Sequence, residues 1–441
     1  GRPRPLRPGW RWSHGWGALP AEGAQRLIVE EQVFSHELPS ALRVLVEEIP
    51  YVRSASVGFW ISVGSMHEPE EMAGVCHALE HMLFKGTATR SAEEIARTLD
   101  SVGGQLNAFT DKECTCYHAK VLSEHLPLAL ELLADMLLHS LFRPADVKTE
   151  KRVILEEIRQ LEDEPDEMAD EMFLERLWRG HPLGRPVVGT RRAVRSLTAE
   201  KMQAFLRQHY VGNRMVVAVA GNVRHEEVLE QAAALLAEVN RATPEPELGS
   251  PSITPFFRRV RKDSEAVHLR VGMPGFSQRH ADRYAAAVLD AILGGSTSSR
   301  LFQEVREKRG LAYNIGTCAF SFRDAGALTV YAGTSPEKAD EVLRLVVAEL
   351  DRVLQEGVTE REVEQARNQL KGAFLLALDN TDSRMARLAK SQLYHGRVVS
   401  VAEVTRSIEA VTLEDVNRVA RMVLPEAQRS VLLLGPVARR R

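Results

Sequence analysis

The residues best suited to chemistry are His77, Glu80 and His81, which stand close together in a stretch with the pattern of a helix. In an α-helix, residues four positions apart lie on one face, so a ring nitrogen of each histidine can reach the same cation. Glu80 lies beside them and can take a proton from a water molecule without binding the metal itself. The order H-x-x-E-H inverts the more frequent H-E-x-x-H and is known from metallopeptidases. The pattern predicts half of a zinc site with its own general base.

A complete site needs a third ligand, and two glutamates seven positions apart are the candidates. Glu150 and Glu157 share one face of a predicted helix whose apolar anchors are Val153, Ile154 and Ile158. One carboxylate can bind the metal while the other supports the site. Taken alone, two glutamates at this spacing are more typical of an ordinary solvated helix face.

Composition narrows the class of protein. The 441 residues are 44% hydrophobic and 27% charged, as in an ordinary globular protein, and the length favours two or more domains. A formal net charge of −3 without a strongly basic segment argues against nucleic acid as a partner. No apolar run approaches the roughly 18 residues of a membrane span, so we expect no membrane partner. The four cysteines form no C-x-x-C pair and no disulfide pattern, which favours a reducing compartment.

The first 25 residues are rich in Arg, Pro and Trp and contain no acid before Glu22. Their prolines oppose the amphipathic helix of a mitochondrial transit peptide, and they lack the apolar core of a secretory signal. We therefore predict an unstructured extension and a cytoplasmic, bacterial protein, with the mitochondrial matrix as the alternative location.

The remainder of the chain has the pattern of an internal duplication. Strand-like stretches at residues 41–46, 54–63 and 215–220 alternate with helical patterns, and after a proline-rich linker the order repeats, with residues 267–273 resembling residues 57–63. We expect an α+β fold of two homologous domains, each a mostly antiparallel β-sheet packed with helices. The predicted division is a disordered extension (1–26), a zinc-binding catalytic domain (27–240), a linker (241–258) and an inactive duplicate domain (259–441).

Two further stretches qualify this division. Where the duplicate should carry its own metal motif, residues 285–294 contain no ligand type except Asp290, so only the first half is expected to hold a metal. Residues 161–171 are strongly acidic, which is typical of a solvated helix face; the alternative is a surface that attracts basic peptides.

With these residues in place, the sequence resembles the pitrilysin/insulinase-type zinc peptidases that carry the inverted motif. The resemblance is to their short-chain branch, which includes the beta subunit of mitochondrial processing peptidase and its bacterial homologues. It runs from about residue 27 to the C-terminus and includes landmarks in the order of that family, at residues 64–65, 68–69, 74–87, 107–110, 153–158 and 181–189.

The resemblance implies a metal site with defined roles. It makes His77, His81 and Glu157 the ligands of Zn²⁺ and Glu80 the general base, with Glu156 as the neighbouring rival of Glu157. The sequence separation between His81 and Glu157 fits the pattern of the family.

The remaining positions implied by the resemblance concern support and substrate. Glu150 corresponds to a second acidic residue that supports a ligand histidine. Asn107, Ala108 and Phe109 correspond to an edge strand on which relatives lay a peptide by adding it to the sheet. Without the resemblance, these three residues would fit any edge strand.

The second half carries Arg306 and Tyr313, which match an arginine and a tyrosine that relatives use to clamp substrate and stabilise the oxyanion. Spacing alone would make both structural. Since relatives supply this pair from a partner subunit across a closed chamber, we expect a homodimer, with a heterodimer as the alternative.

The resulting expectation is a zinc-dependent endopeptidase that acts on unfolded peptides or on precursor segments. Catalysis would use Glu80 to activate water at the metal. The alternative is a non-catalytic scaffold or peptide-binding subunit, because the same family includes members that have lost the motif. The intact motif around His77 and His81 counts against this alternative.

Overall fold

The computed structural model of the protein describes residues 31–241, 248–249 and 251–437. The predicted disordered extension (1–26) and part of the predicted linker (242–247 and 250) lie outside the described residues. Within the described ranges, no helix combines the length and the apolar character needed to cross a bilayer.

The first half is built around a six-stranded sheet. Its strands are β1 (Gln32–Glu37), β2 (Arg43–Glu48), β3 (Ser54–Ile61), β4 (Gln105–Thr110), β5 (Thr115–Leu122) and β6 (Met215–Gly221). Their order is β1-β2-β6-β3-β5-β4, and neighbours in this sheet are antiparallel except β2 with β6. β2 begins two residues after the predicted start, because Ala41 has a φ of 67° and belongs to a turn.

The second half repeats this arrangement in a five-stranded sheet. Its strands are β7 (Phe257–Arg261), β8 (Val267–Pro274), β9 (Asn314–Ser321), β10 (Gly326–Thr334) and β11 (Ser430–Gly435). The order β7-β11-β8-β10-β9, with one parallel pair between β7 and β11, matches β2-β6-β3-β5-β4 of the first sheet strand for strand. The predicted α+β fold with two duplicated, mostly antiparallel sheets is confirmed.

Helices cover these sheets in both halves. The first half contains α1 (Val75–Leu83), α2 (Ala92–Asp100), α3 (Leu126–His139), α4 (Pro144–Asp163), α5 (Pro165–Leu177), α6 (Arg191–Ser196), α7 (Ala199–His209) and α8 (His225–Leu235). The second contains α9 (Arg283–Leu293), a π-helical turn (Phe302–Glu307), α10 (Ala339–Glu356), α11 (Glu360–Ala377), α12 (Thr381–His395), α13 (Val401–Glu409) and α14 (Leu413–Val423).

The central strand β6 shows why the sheets are covered on both faces. All of its residues are buried, and its sequence is an unbroken apolar run rather than an alternating one. Val217 and Val219 belong to the core formed with α1 and α3, whereas Val216 and Ala218 belong to a separate core on the opposite face. That second core is completed by a helix from the other half of the chain.

One helix from each half packs on the sheet of the other half. α12 packs on β3 and β6 of the first sheet, where Met385 and Leu388 join the second core. In return, α5 packs on β8 and β11 of the second sheet through Phe173 and Leu177. From Gln32 onward the chain is accordingly one compact unit. The domain boundaries at 240 and 259 stay predictions, since the exchanged helices do not follow the chain order.

Charged pairs accompany this exchange. Asp170 and Asp166 of α5 bind the guanidinium of Arg270 on β8, which is only 1% exposed, at 2.5 and 2.9 Å, and Asp166 also accepts a hydrogen bond from His268 at 2.8 Å. The hydrogen bond from His268 and the charge of Arg270 hold the pKa of Asp166 well below its usual range. Part of the acidic run in α5 therefore contacts the second sheet, which the composition of that run did not reveal.

This cluster predicts a pH-dependent loss of stability in Asp166→Asn. Because the pKa of Asp166 is depressed in the folded protein, its stabilisation is complete above the unfolded value of about 3.9 and disappears as the pH falls below it. At pH 7 we expect a loss of about 1 kcal/mol, a modest figure since the side chain is half exposed and Arg270 keeps Asp170. Denaturant midpoints at pH 7 and pH 3 should show the difference from the native protein shrinking at pH 3. The exposed Asp263→Asn is the control, and an equal loss there would contradict this assignment.

Candidate metal centre

Helix α1 is anchored at its N-terminus by a buried carboxylate. Gly74 precedes the helix with a φ of 98°, a conformation that favours glycine. The side chain of Glu68 accepts hydrogen bonds from the backbone N–H groups of Gly74 and Cys76, both at 2.7 Å. Burial raises the pKa of Glu68 to about 7, although these hydrogen bonds oppose the rise. A carboxylate at this end of the helix also complements the helix dipole, so α1 is held in a defined place.

The segment that contains residues 181–189 supports the same anchor. Arg185 donates to the backbone oxygen of Glu68 at 2.7 Å, and the buried Lys112 donates to the backbone oxygen of Arg185 at 2.8 Å. Gly189 has a φ of 77° and lies so close to Ala73 that a Cβ atom would clash with its carbonyl. This landmark of the sequence therefore supports the segment that precedes α1.

Helix α4 packs on α1 and brings a third ligand type to the two histidines. An oxygen of Glu157 lies 3.7 Å from Nε2 of His77 and 3.7 Å from Nε2 of His81. Atoms bound tetrahedrally to one zinc ion at its usual distances of about 2.1 Å lie roughly 3.4 Å apart, so these three atoms fit one such ion. Two residue groups in the described part of the chain have a spacing that suits a metal, and this is one of them.

Two atoms of this group are buried without a hydrogen-bond partner among the described residues. They are Oε2 of Glu157, which faces both imidazoles, and Nδ1 of His77. Burial, together with the neighbouring His81, lowers the pKa of His77 to about 4, so its imidazole is neutral at pH 7 and the contact with Glu157 is not an ion pair. A neutral imidazole that offers the lone pair of Nε2, with its proton on Nδ1, and an unpartnered carboxylate oxygen are what a divalent cation requires. The residues therefore fit a metal.

Glu150 has a different position from Glu157. Its side chain is 7% exposed, and its two oxygens contact Nδ1 of His81 at 3.1 Å and Nζ of Lys85 at 3.0 Å. Since both oxygens are engaged, Glu150 orients the imidazole of His81 instead of joining the three converging atoms. The rival Glu156 points elsewhere and pairs with Arg159 at 2.7 Å on the surface.

The predicted base, Glu80, is held by the edge strand β4. Oγ1 of Thr110, the last residue of β4, donates a hydrogen bond of 2.6 Å to Oε2 of Glu80. Burial raises the pKa of Glu80, while this hydrogen bond opposes the rise. Sequence reasoning missed Thr110 and Lys85 as site residues. Lys85 lies four positions after His81, and Thr110 is the last residue of the landmark at 107–110, so the sequence could have indicated both residues.

The strand that contains residues 107–109, β4, lies at the edge of the first sheet, as the sequence predicted. β4 is the last strand of the first sheet and pairs on one side with β5. Asn107 and Ala108 line a cavity of about 200 Å³ together with Glu80 and His81. Phe109 does not reach this cavity; its ring packs against Trp60, with 5.4 Å between ring centroids. Two of the three predicted substrate residues thus lie at the metal site.

Arg306 and Tyr313 lie in the second half, on elements that pack on the second sheet. Arg306 is in the π-helical turn and its guanidinium stacks on Phe302 at 4.7 Å, while Tyr313 precedes β9 and is 59% exposed. Among the described residues, no hydrogen bond or ion pair joins either side chain to the first half. Neither residue lines the cavity beside Glu80 and His81.

The other group with metal-ligand spacing is Glu48, His225 and Glu226. Glu48 accepts hydrogen bonds from the backbone N–H of His225 at 2.7 Å and from its Nδ1 at 2.8 Å. His225 is the first residue of α8, where the helix dipole favours an anion over a cation. This group caps the N-terminus of α8, and we do not propose a metal there.

Comparison with known families identifies the class of protein. A family model described as Insulinase (Peptidase family M16) matches residues 43–191, and one described as Peptidase M16 inactive domain matches residues 196–370. An uncharacterized zinc protease of Mycobacterium tuberculosis is 44% identical over 406 residues, which cover 90% of this chain and 92% of that protein. The zinc protease YmxG of Bacillus subtilis is 39% identical, covering 88% and 94%. The chain belongs to the M16 peptidase family, which confirms the predicted family.

Solved structures support the fold. A protease from Helicobacter pylori superimposes with a TM-score of 0.86 at 22% identity and covers 92% of this chain and 100% of its own. A Pseudomonas fluorescens structure described as a peptidase M16 inactive domain gives a TM-score of 0.87 at 20% identity, covering 93% and 99%. At this identity, the likeness concerns the fold alone.

The contacts of Glu150 predict that Glu150→Gln weakens metal binding without abolishing it. Removing the charge that orients His81 should lower the affinity for zinc by about 10–100-fold, since supporting carboxylates contribute that much in metal sites. Competition with a chelator measures this affinity. Glu156→Gln is the matched control on the same helix and should bind zinc like the native protein; the reverse ranking would exchange the roles of the two residues.

Proposed function

We propose that this protein is a zinc-dependent endopeptidase that hydrolyses unfolded peptides or precursor segments. The observation that carries the proposal is the convergence of His77, His81 and Glu157, with Glu80 beside them. The names of the relatives as zinc proteases support zinc as the metal. His77, His81 and Glu157 would hold it.

In this proposal the side chains divide the chemistry between them. The metal, when bound, polarises the scissile carbonyl and acidifies a water molecule. Glu80 takes a proton from the attacking water and delivers it to the leaving amine. Thr110 holds the carboxylate of Glu80, and Glu150 fixes the ring of His81 for the same geometry. Burial raises the pKa of Glu80, which suits a group that first takes a proton and then gives it back.

Peptide substrate would bind by extending the first sheet. The outer edge of β4 offers main-chain hydrogen-bond groups along residues 107–109, where the N–H of Ala108 now donates to Oδ1 of Asn107 at 2.8 Å, and it ends at Thr110 beside the base. A peptide added there is read by its backbone more than by its side chains. Extended, unfolded segments therefore suit this site better than folded proteins.

A second copy of the chain would complete the site. Arg306 and Tyr313 lie in the half without metal ligands, and the exchange of α5 and α12 ties the two halves of one chain together. Because those halves are tied by contacts such as that of Arg270 with Asp170, we expect closure between two chains rather than within one. We propose a homodimer that encloses a chamber, with Arg306 and Tyr313 clamping substrate from the partner. A cytoplasmic location is part of the proposal, in accord with the four unpaired cysteines.

Glu80→Gln tests the proposed reaction. Since the ligands remain, zinc should stay bound, while cleavage of a quenched unstructured peptide falls by about 10²–10⁴-fold. Zinc content by metal analysis and the cleavage rate together make the measurement, and a chelator should abolish native cleavage until zinc is restored. Retained activity in Glu80→Gln would contradict the base assignment. Peptide binding without zinc-dependent cleavage in the native protein would favour the non-catalytic, peptide-binding alternative.

The proposed dimer predicts complementation between two inactive variants. Mixing Glu80→Gln chains with Arg306→Ala chains forms mixed dimers in which one site combines an intact Glu80 with an intact partner Arg306. If chains exchange at random, the mixture should recover about a quarter of native activity. Each variant mixed with itself is the control. Failure of the mixture to exceed these controls, while mass measurement shows mixed dimers, would place Arg306 outside the shared site.

A further inference from the structure

A cavity of about 360 Å³ lies in the second half, away from the metal site. It opens between α9, the ends of β8 to β10, and the helices α12 to α14. Its walls are mostly apolar and aromatic, with Phe276, Tyr284, Phe320 and Tyr394 among the rings. The volume lies in the range of pockets that hold small molecules.

The duplication explains why this space is open. In the first half, α5 is joined to α6 by residues 178–190, which fold back as a short helical turn (Pro182–Gly184) against the segment before α1. In the second half, the corresponding helices α12 and α13 are joined by residues 396–400 only. Since the shorter connection cannot fill the corresponding space, an apolar hollow is left between α9 and α12.

The charged side chains that line the cavity are basic, although Glu113 contacts the lining residue Tyr394 from outside it. Arg283, Arg387 and Lys390 line it together with His395, and none of the described residues that line it is acidic. Arg387 is engaged by the buried Glu47. Arg283 donates hydrogen bonds to two neutral oxygens, those of His280 and Tyr284, each at 3.2 Å. The carboxylate of Glu403 lies within electrostatic reach of Arg283 but pairs with Arg397 at 2.6 Å. Lys390 is exposed, and no ion pair connects it to a described carboxylate. The positive charges of Arg283 and Lys390 are therefore available to a ligand.

We propose that this cavity binds an aliphatic carboxylate, with its hydrocarbon chain among the rings and its carboxylate at Arg283 and Lys390. Apolar walls stabilise the chain by removing it from water, and a guanidinium and an ammonium group are the usual partners of a carboxylate. At about 30 Å³, the volume that one water molecule occupies in the liquid, for each heavy atom, the cavity holds roughly a dozen heavy atoms, which is the size of decanoate. The proposal is independent of the peptidase reaction, because no lining residue belongs to the metal site.

Calorimetric titration of decanoate into the full-length protein tests this site, with and without zinc. We expect one decanoate per chain in both cases, weaker binding of decanol and no binding of decylamine. Arg283→Glu combined with Lys390→Glu should raise the Kd for decanoate at least about tenfold, because two charge-assisted contacts are lost and replaced by repulsion. Arg421→Glu on α14 is the matched control: it is exposed, lies outside the cavity lining, and should bind decanoate like the native protein.

A second variant tests the apolar part of the site. Ala287→Phe fills the cavity from a partly exposed position of α9 and should abolish binding while the thermal midpoint stays near that of the native protein. A short acetylated peptide that ends in two leucines, titrated into chelator-treated protein, tests whether a peptide terminus is preferred. The proposal is overturned if decanoate does not bind, if either cavity variant binds it like the native protein, or if the peptide binds more tightly than decanoate.

Discussion

The packing of α4 against α1 is the contact on which the site depends. Neither helix holds a complete ligand set: α1 supplies two imidazoles and α4 supplies one converging carboxylate. The same contact seats Glu150 between His81 and Lys85, so that one helix pair both assembles the ligand atoms and orients them. A shift of α4 by one residue would rotate both glutamates away together, because they lie on a single helical face.

Several buried or half-buried polar groups hold α1 in place. Glu68 is buried against the N-terminus of α1, where two backbone N–H groups offset the cost of removing its charge from water. Lys112 and Arg185 surround the same anchor through backbone oxygens. Thr110 links Glu80 to the edge strand β4 by a hydrogen bond. Such groups stabilise one arrangement of α1 rather than adding general stability.

Because helices α5 and α12 each pack on the sheet of the other half, each half completes a core of the other. α12 completes the core beneath the sheet of the half that holds His77 and His81, and α5 completes the core of the second sheet. The second half is thus required for the first to be covered, even though its residues 285–294 contain no ligand type except Asp290. Its connection after α12 is shorter than the one after α5 in the first half. This leaves the apolar cavity with its basic side chains.

Much of this could be predicted from the sequence. The four-residue spacing of His77 and His81 determines their common face because helix geometry is local, and the repeated strand pattern predicted two like sheets. The choice of Glu157 over Glu156 and Glu150 came from resemblance, since periodicity alone left the carboxylates open. Only the tertiary structure decided that both oxygens of Glu150 are engaged and that Thr110 holds Glu80. It also decided that α5 packs on the second sheet and α12 on the first. Those contacts join residues far apart in the chain, and no local propensity or period records which distant surfaces meet.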